Sequence, residues 1–216
     1  MPGNHQQPSS PIRAVIFDYG EVLSLAPSAE ALGAMAAMLG VTAERFRRLY
    51  AARRKAYDRA DLTPSEYWEG MAAEAGTGLG PEEVDRLRKI DVEMWSEVRE
   101  DMLRWVLELR SSGVKTAMLS NMHRDMARHV RAECDWLANF DCVALSSELR
   151  LVKPDAGIYQ YCLERLSVAP REALFLDDRE ANVRAAEALG ITGIVARNTC
   201  QIRKDLQAIG FSPLPS

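Results

Sequence analysis

Adjacent carboxylates at Asp177 and Asp178 close an apolar run, Ala173-Leu174-Phe175-Leu176, and precede a stretch with helical spacing. Two anions side by side repel one another, and a hard divalent cation with oxygen ligands relieves that repulsion. A second apolar run, Ala14-Val15-Ile16-Phe17, also empties into a carboxylate, Asp18. Carboxylates at two strand ends predict one metal site. A carboxylate beside a metal can act as a nucleophile on phosphorus. Taken alone, Asp18 also suits a turn or a helix cap.

Other polar residues fall just past predicted strands. Gly20 lets the backbone come close to a ligand. Ser120-Asn121 ends the run Ala117-Met118-Leu119. It either caps a helix beginning near His123 or donates to phosphate oxygens, and one geometry serves both. Lys153, before Pro154, is placed to offset phosphate and aspartate charge, although a lone loop lysine is more often a solvated surface charge. Asn182 lies one helical turn after Asp178, near enough to orient metal ligands or to be plain helix-surface polarity. His123 and His129 are expected on helix surfaces rather than as catalytic bases. Tyr50, Tyr57, Tyr67, Trp68 and Trp95 recur at helical spacing and are expected mostly as core, with one or two lining a substrate pocket.

These residues need a scaffold that brings strand ends together. Short apolar runs predict strands at Ile12–Phe17, Val114–Leu119, Asp141–Leu145, Ala173–Leu176 and Ile191–Ala196. Helical patterns cover Asp101–Arg110, Arg124–Glu133, Asp155–Leu166, Glu180–Leu189 and Gln201–Ile209. Gly113 and Gly190 read as left-handed C-caps. This alternation predicts an α/β chain, a Rossmann-like three-layer α/β/α sandwich on a parallel sheet. In such sheets ligands bind at the carboxyl ends of strands, where the strand order reverses.

The alternation breaks after the first strand. Four helical patterns follow, Ser28–Leu39, Thr42–Arg59, Thr63–Ala75 and Pro81–Val98, with no convincing strand among them. In the third, Thr63 is the N-cap, Pro64 opens the helix, Glu66 completes a capping box and Gly76 stops it. The block is too long for an ordinary crossover. We expect residues 12–23 and 101–210 to form the core domain, residues 24–100 a helical cap over the strand ends, and residues 1–11 a loose tail.

Composition excludes several classes. The chain of 216 residues carries 27 basic and 31 acidic side chains, evenly mixed, for a formal net charge of −4. That balance speaks against a nucleic-acid footprint. No apolar stretch reaches the ~20 residues that span a bilayer. Met1 to Ser10 is polar and lacks the apolar core of a signal peptide. Four cysteines, Cys134, Cys142, Cys162 and Cys200, show no C-x-x-C spacing. They are expected as reduced core thiols of a cytoplasmic protein, monomeric or homodimeric.

Four segments in order carry a family resemblance. Phe17-Asp18-Tyr19-Gly20-Glu21-Val22-Leu23 resembles the first motif of the haloacid-dehalogenase-like (HAD) hydrolase superfamily. Leu119-Ser120-Asn121 resembles its second, Lys153-Pro154 its third and Phe175-Leu176-Asp177-Asp178 its fourth. Each is weak alone; with the helical insert where that family's cap falls, the resemblance spans about Ile12 to Ile209. The stretches Ser146–Tyr159 and Asp177–Gly190 are most similar to the glucose-1-phosphate phosphatase branch, itself similar to the phosphatase domain of some epoxide hydrolases. The resemblance implies that Asp18 attacks phosphorus to form an aspartyl-phosphate. It implies that Ser120, Asn121 and Lys153 bind the phosphorylated small-molecule substrate. Mg²⁺ would be held by Asp18, the Gly20 carbonyl and Asp178, with Asp177 close behind.

One position departs from the family. Most of its phosphatases carry a general acid–base aspartate two residues after the nucleophile, where this chain has Gly20. Such a group is typically worth about 10²–10⁴-fold. Glu21 is a poor substitute, because neighbouring residues on a strand face opposite ways. The alternatives are therefore a 2-haloacid dehalogenase, against which the Asp177-Asp178 pair argues, and a catalytically silent or regulatory binding protein.

Overall fold

The computed structural model describes residues 12–215, so the expected tail lies outside the described residues. Five parallel strands, β1 (Ala14–Phe17), β2 (Lys115–Ser120), β3 (Cys142–Leu145), β4 (Ala173–Asp177) and β5 (Thr192–Val195), stand in the order β3-β2-β1-β4-β5. β1 is buried at every position, as a central strand covered on both faces must be. Its alternate side chains feed two separate cores. Val15 and Phe17 pack with Trp105 and Leu109 of α6 (Glu100–Ser111), Val130 of α7 (Arg124–Glu133) and Leu206 of α11 (Thr199–Ala208). Ala14 and Ile16 pack with Ile158 and Tyr159 of α9 (Ala156–Leu166) and Ala186 of α10 (Glu180–Glu187). The period of two thus builds the three layers.

Strand register positions the chemistry. Phe17 pairs with Leu176 across β1–β4 and with Met118 across β1–β2, so Asp18 leaves the sheet level with Asp177 and Leu119. The Asp18 N–H still donates to the Leu176 carbonyl at 2.8 Å. From β1 the chain goes on to strands of one flank and later to the other, and Asp18 and Asp177 face each other at that reversal.

Between β1 and α6 the chain forms α1 (Ala29–Met38), α2 (Ala43–Ala52), α3 (Arg54–Asp58), α4 (Pro64–Ala75) and α5 (Pro81–Glu93). Met35, Phe46, Tyr57, Trp68 and Leu87 give these helices a core of their own. Ser24 and Val98 pair as an antiparallel bridge, flanked by Leu25 N–H to Glu97 O and Arg99 N–H to Leu23 O, each 2.8 Å. The exit and return of the segment are therefore zipped side by side. The capping box of α4 forms as expected, and Gly76 closes the helix at φ 86°, where a side chain would be strained.

Four sequence expectations need correction. The helix expected over Thr42–Arg59 is broken at Arg53 (φ −110°, ψ 6°) into α2 and α3. The break lets Tyr57 and Asp58 turn inward, with Tyr57 stacked at 4.2 Å on Tyr67. The helix expected to reach Val98 ends at Glu93, and a short helix, α8 (Ser146–Leu149), follows β3 where the sequence suggested loop. Cys142 and Cys162 are buried, Cys134 is half-buried and Cys200 is exposed, all as free thiols, so core burial holds for only two of the four. No helix among the described residues is long and apolar enough to cross a membrane.

Candidate active site

The strand ends open into a cavity of about 150 Å³ between the sheet and the helical segment. Asp18, Gly20, Ser120, Asn121, Lys153 and Asp178 line it from the sheet side, and Tyr50, Arg54, Asp58 and Trp95 from the other. The structure brings every candidate residue of the sequence analysis together here except Asp177, which lies just behind as a fully buried side chain.

Lys153 is the hub. Its ammonium lies 2.7 Å from Asp18 Oδ1 and 2.7 Å from Asp177 Oδ2, and donates to the Leu119 carbonyl at 3.0 Å. Its side chain is 1% exposed, which excludes the solvated-charge reading. Burial disfavours this cation, but the two carboxylates outweigh that and raise its pKa, so it stays charged.

Asn121 holds Lys153 in place. Its side-chain amide donates to the Lys153 carbonyl at 3.0 Å and its oxygen accepts the Lys153 N–H at 2.8 Å. The side chain expected against the phosphate is thus spent on the lysine backbone. Ser120 is buried at the cavity wall beside it. Asn182 donates to both oxygens of Asp177, at 2.9 and 3.0 Å, and the Arg179 N–H adds a bond of 2.8 Å. Asp177 is therefore supplied with donors on both oxygens, which fits a positioning carboxylate.

One ammonium among three carboxylates leaves an imbalance. Burial works against the Asp177 anion, yet Lys153, Arg179 N–H and Asn182 hold its pKa below the usual carboxylate range. Asp18 takes the opposite course. Burial pushes its pKa up to about 8, Lys153 opposes this, and the Asp177 and Asp178 charges add to it. The ion pair alone favours an ionised Asp18, but a cation shared between two buried anions does not neutralise both. Asp178 is also raised, first by burial and then by Asp177. Oxygens of Asp18, Asp177 and Asp178 lie within 4.8 Å of one another. A cluster of hard oxygen donors carrying excess negative charge fits Mg²⁺.

Asp18 is also oriented. Its Oδ1 accepts the Tyr19 N–H at 2.6 Å and faces Lys153, which frees Oδ2 for the cavity chemistry. A methyl group at position 20 would lie 3.5 Å from the Trp95 ring, so the indole occupies the ground beside Gly20.

Sequence reasoning missed several residues here. Arg54 and Asp58 pair at 2.8 Å, and Arg54 also reaches Asp91 at 3.4 Å. An Arg and an Asp four apart read as an exposed helical pair, and only the break at Arg53 buries them. His123, expected on a helix surface, is fully buried before α7, stacked at 4.8 Å on Tyr57 with Nε2 3.2 Å from Asp91. His129 is half-buried with Nε2 3.1 Å from Ser96 Oγ. Of the flagged aromatics, Tyr50 and Trp95 line the cavity.

Comparison with known proteins places this arrangement. Bifunctional epoxide hydrolase 2 of Rattus norvegicus is 27% identical over 55% of this chain, which spans only 22% of that protein's length. A phosphatase of Mycobacterium tuberculosis is 28% identical over 68% of this chain and 69% of its own. (S)-2-haloacid dehalogenase 1 of a Pseudomonas species is 26% identical over 85% of this chain and 84% of its own. A HAD-family enzyme of Bacteroides thetaiotaomicron, crystallised with magnesium and inorganic phosphate, shares the fold with a TM-score of 0.69 and 21% identity, covering 86% of this chain and 94% of its own. A family profile described as haloacid dehalogenase-like hydrolase matches residues 12–190, which take in Asp18, Ser120, Lys153 and the Asp177-Asp178 pair. The chain belongs to the haloacid dehalogenase-like hydrolases.

Proposed function

We propose that this chain is a Mg²⁺-dependent phosphatase acting on a small phosphorylated metabolite, a sugar phosphate by preference. The observation that carries the reading is the ammonium of Lys153 shared by the buried Asp18 and Asp177, with the half-buried Asp178 grouped within 4.8 Å of both carboxylates. Asp18 is the nucleophile and would carry the phosphoryl group as an aspartyl-phosphate. Lys153 and the Ser120 hydroxyl hold the phosphoryl oxygens, while Asn121 fixes the backbone of Lys153 and Asn182 fixes Asp177. Asp18, Asp178 and the Gly20 carbonyl would hold Mg²⁺, which supplies charge neutralisation for phosphoryl transfer. Helices α1–α5 serve as the cap that excludes water from this chemistry. Tyr50 and Trp95 offer aromatic faces, and Arg54 and Asp58 offer polar groups, to the part of the substrate beyond phosphorus.

The test is phosphate release from p-nitrophenyl phosphate and from a panel of sugar phosphates, with Mg²⁺ and with EDTA. Mg²⁺-dependent release abolished in Asp18→Asn supports the reading, and failure on every phosphoester by folded protein overturns it. The long alignment with the Pseudomonas enzyme favours a second reading, hydrolysis of 2-haloacids. Halide release from 2-chloropropionate in the presence of EDTA would support that reading instead.

A further inference from the structure

A phosphatase reaction on an alkyl ester needs a proton for the leaving oxygen, and Gly20 has no side chain to carry one. Outside the group around Lys153, the proton-transferring side chains that line the cavity are Tyr19, Glu21, Tyr50 and Asp58, and the Tyr19 hydroxyl is committed to the Trp95 carbonyl, to which it donates at 2.6 Å. The Tyr50 hydroxyl is committed to Asp91, to which it donates at 2.5 Å. Glu21 is exposed and close enough to Asp178 to raise that carboxylate's pKa, which places it on the carboxylate side of the cavity. Asp58 comes from α3, on the wall that the helical segment supplies.

We propose that Asp58 is the acid–base catalyst of this site, standing in for the side chain that Gly20 lacks. The inference rests on the phosphatase reading. In the first step Asp18 forms a bond to phosphorus, the bond from phosphorus to the ester oxygen breaks, and the Asp58 carboxyl gives its proton to that oxygen. In the second step the Asp58 carboxylate takes a proton from the water that attacks the aspartyl-phosphate. Inorganic phosphate leaves, Asp18 is restored, and Asp58 ends protonated as it began.

Three observations support the assignment. The Asp58 backbone is tied to the phosphate-binding turn through one buried hydroxyl: Ser146 Oγ donates to the Asp58 carbonyl at 2.6 Å and accepts the Met122 N–H at 2.8 Å. The catalytic candidate is thus held to the core as well as to its own helix. Asp58 Oδ1 accepts from Arg54 Nε at 2.8 Å, which leaves Oδ2 without a hydrogen bond among the described residues. A carboxyl held by one oxygen and free at the other is oriented for proton transfer. Burial favours its neutral form, Asp91 from α5 adds to this, and Arg54 from its own helix and Arg179 from before α10 oppose it; the net shift is upward.

Leaving-group dependence separates this role from a merely structural ion pair with Arg54. With Mg²⁺ present, kcat/KM is measured on aryl phosphates of graded phenol acidity and on an alkyl phosphate that the wild type hydrolyses. Asp58→Asn is expected to lose about 10²-fold or more on the alkyl ester and under ~10-fold on p-nitrophenyl phosphate, whose leaving group needs no acid. The variant is also expected to release a burst of p-nitrophenol before a slow steady state, because the aspartyl-phosphate lacks its base. Equal losses on both substrates, or no loss, overturn the proposal. If the variant does not fold, the wild type decides: a shallow dependence on leaving-group acidity supports an acid, and a steep one overturns it. A wild type inert on every phosphoester fails earlier, at the phosphatase reading itself.

Discussion

A methyl group on Gly20 would sit 3.5 Å from Cζ3 of Trp95, so these two residues share one volume beside the nucleophile. Trp95 is anchored there, since its carbonyl accepts the Tyr19 hydroxyl at 2.6 Å. Gly20→Ala should therefore be tolerated at ordinary contact distance. Gly20→Asp extends into the indole and should destabilise by about 1–3 kcal/mol, as overpacked sites do, with no gain in kcat. Adding Trp95→Ala to Gly20→Asp should recover stability and raise turnover of alkyl phosphates. Thermal melts and kcat of the single and double variants check this. A Gly20→Asp single variant that melts with the wild type and turns over faster would refute the shared-volume account.

The charge imbalance at Lys153 predicts how the protein responds to metal. Mg²⁺ bound at 100 times its Kd would stabilise the fold by about 2.7 kcal/mol. We expect Mg²⁺ to raise the Tm of the wild type and Asp178→Asn to lose most of that rise. Lys153→Met strands Asp18 and Asp177 without their cation, and breaking a buried pair this way costs roughly 3–5 kcal/mol. Its Tm should fall in EDTA, and Mg²⁺ should restore more of it than in the wild type. Equal Mg²⁺ shifts in all three proteins would remove the metal from this site.

What the sequence revealed and what it hid follow one physical division. β1 and β4 were legible because a strand covered on both faces is apolar without interruption, as Val15-Ile16-Phe17 and Leu174-Phe175-Leu176 are. Asp18 and Asp178 were legible because each follows such a run, and parallel register then brings the two strand ends to one edge, whereas Lys153 was legible through its place before Pro154 in the third motif. The thermodynamic role of Asp91, Arg54, Asp58 and His123 was not legible. Charged residues at helical spacing look alike whether they face water or another helix, and only the docking of α3 and α5 on the core buries them. The break at Arg53 was hidden for the same reason, because no proline or glycine marks it.

Ser146 belongs to that hidden set, and its removal should be felt in two elements. Its hydroxyl bridges the Asp58 carbonyl and the Met122 N–H inside the protein. Ser146→Ala leaves both backbone groups buried without a partner, at a cost of about 1–3 kcal/mol. Urea unfolding should show that loss with an unchanged m-value. Ser146→Thr keeps the hydroxyl and should retain more of the stability than Ser146→Ala. An alanine variant as stable as wild type would mean that water replaces the hydroxyl.

His123 gives the pH dependence a sign that can be checked. Burial pushes its pKa down to about 4 from 6.5, while the Asp91 charge pulls the other way. Burial wins because Asp91 already shares its charge with Arg54 and the Tyr50 hydroxyl, so little is left for an imidazolium. The unfolded chain then binds more protons than the folded one between pH 4 and 6.5. Stability from this residue is complete above the unfolded value and is lost as pH falls through that window, by on the order of 3 kcal/mol in total. His123→Phe keeps a ring stacked on Tyr57 and removes the titration. Unfolding free energies of wild type and variant at pH 7.5 and pH 5 isolate the term: the wild type should lose more on acidification than the variant. Parallel losses would place the acid sensitivity in the carboxylates instead.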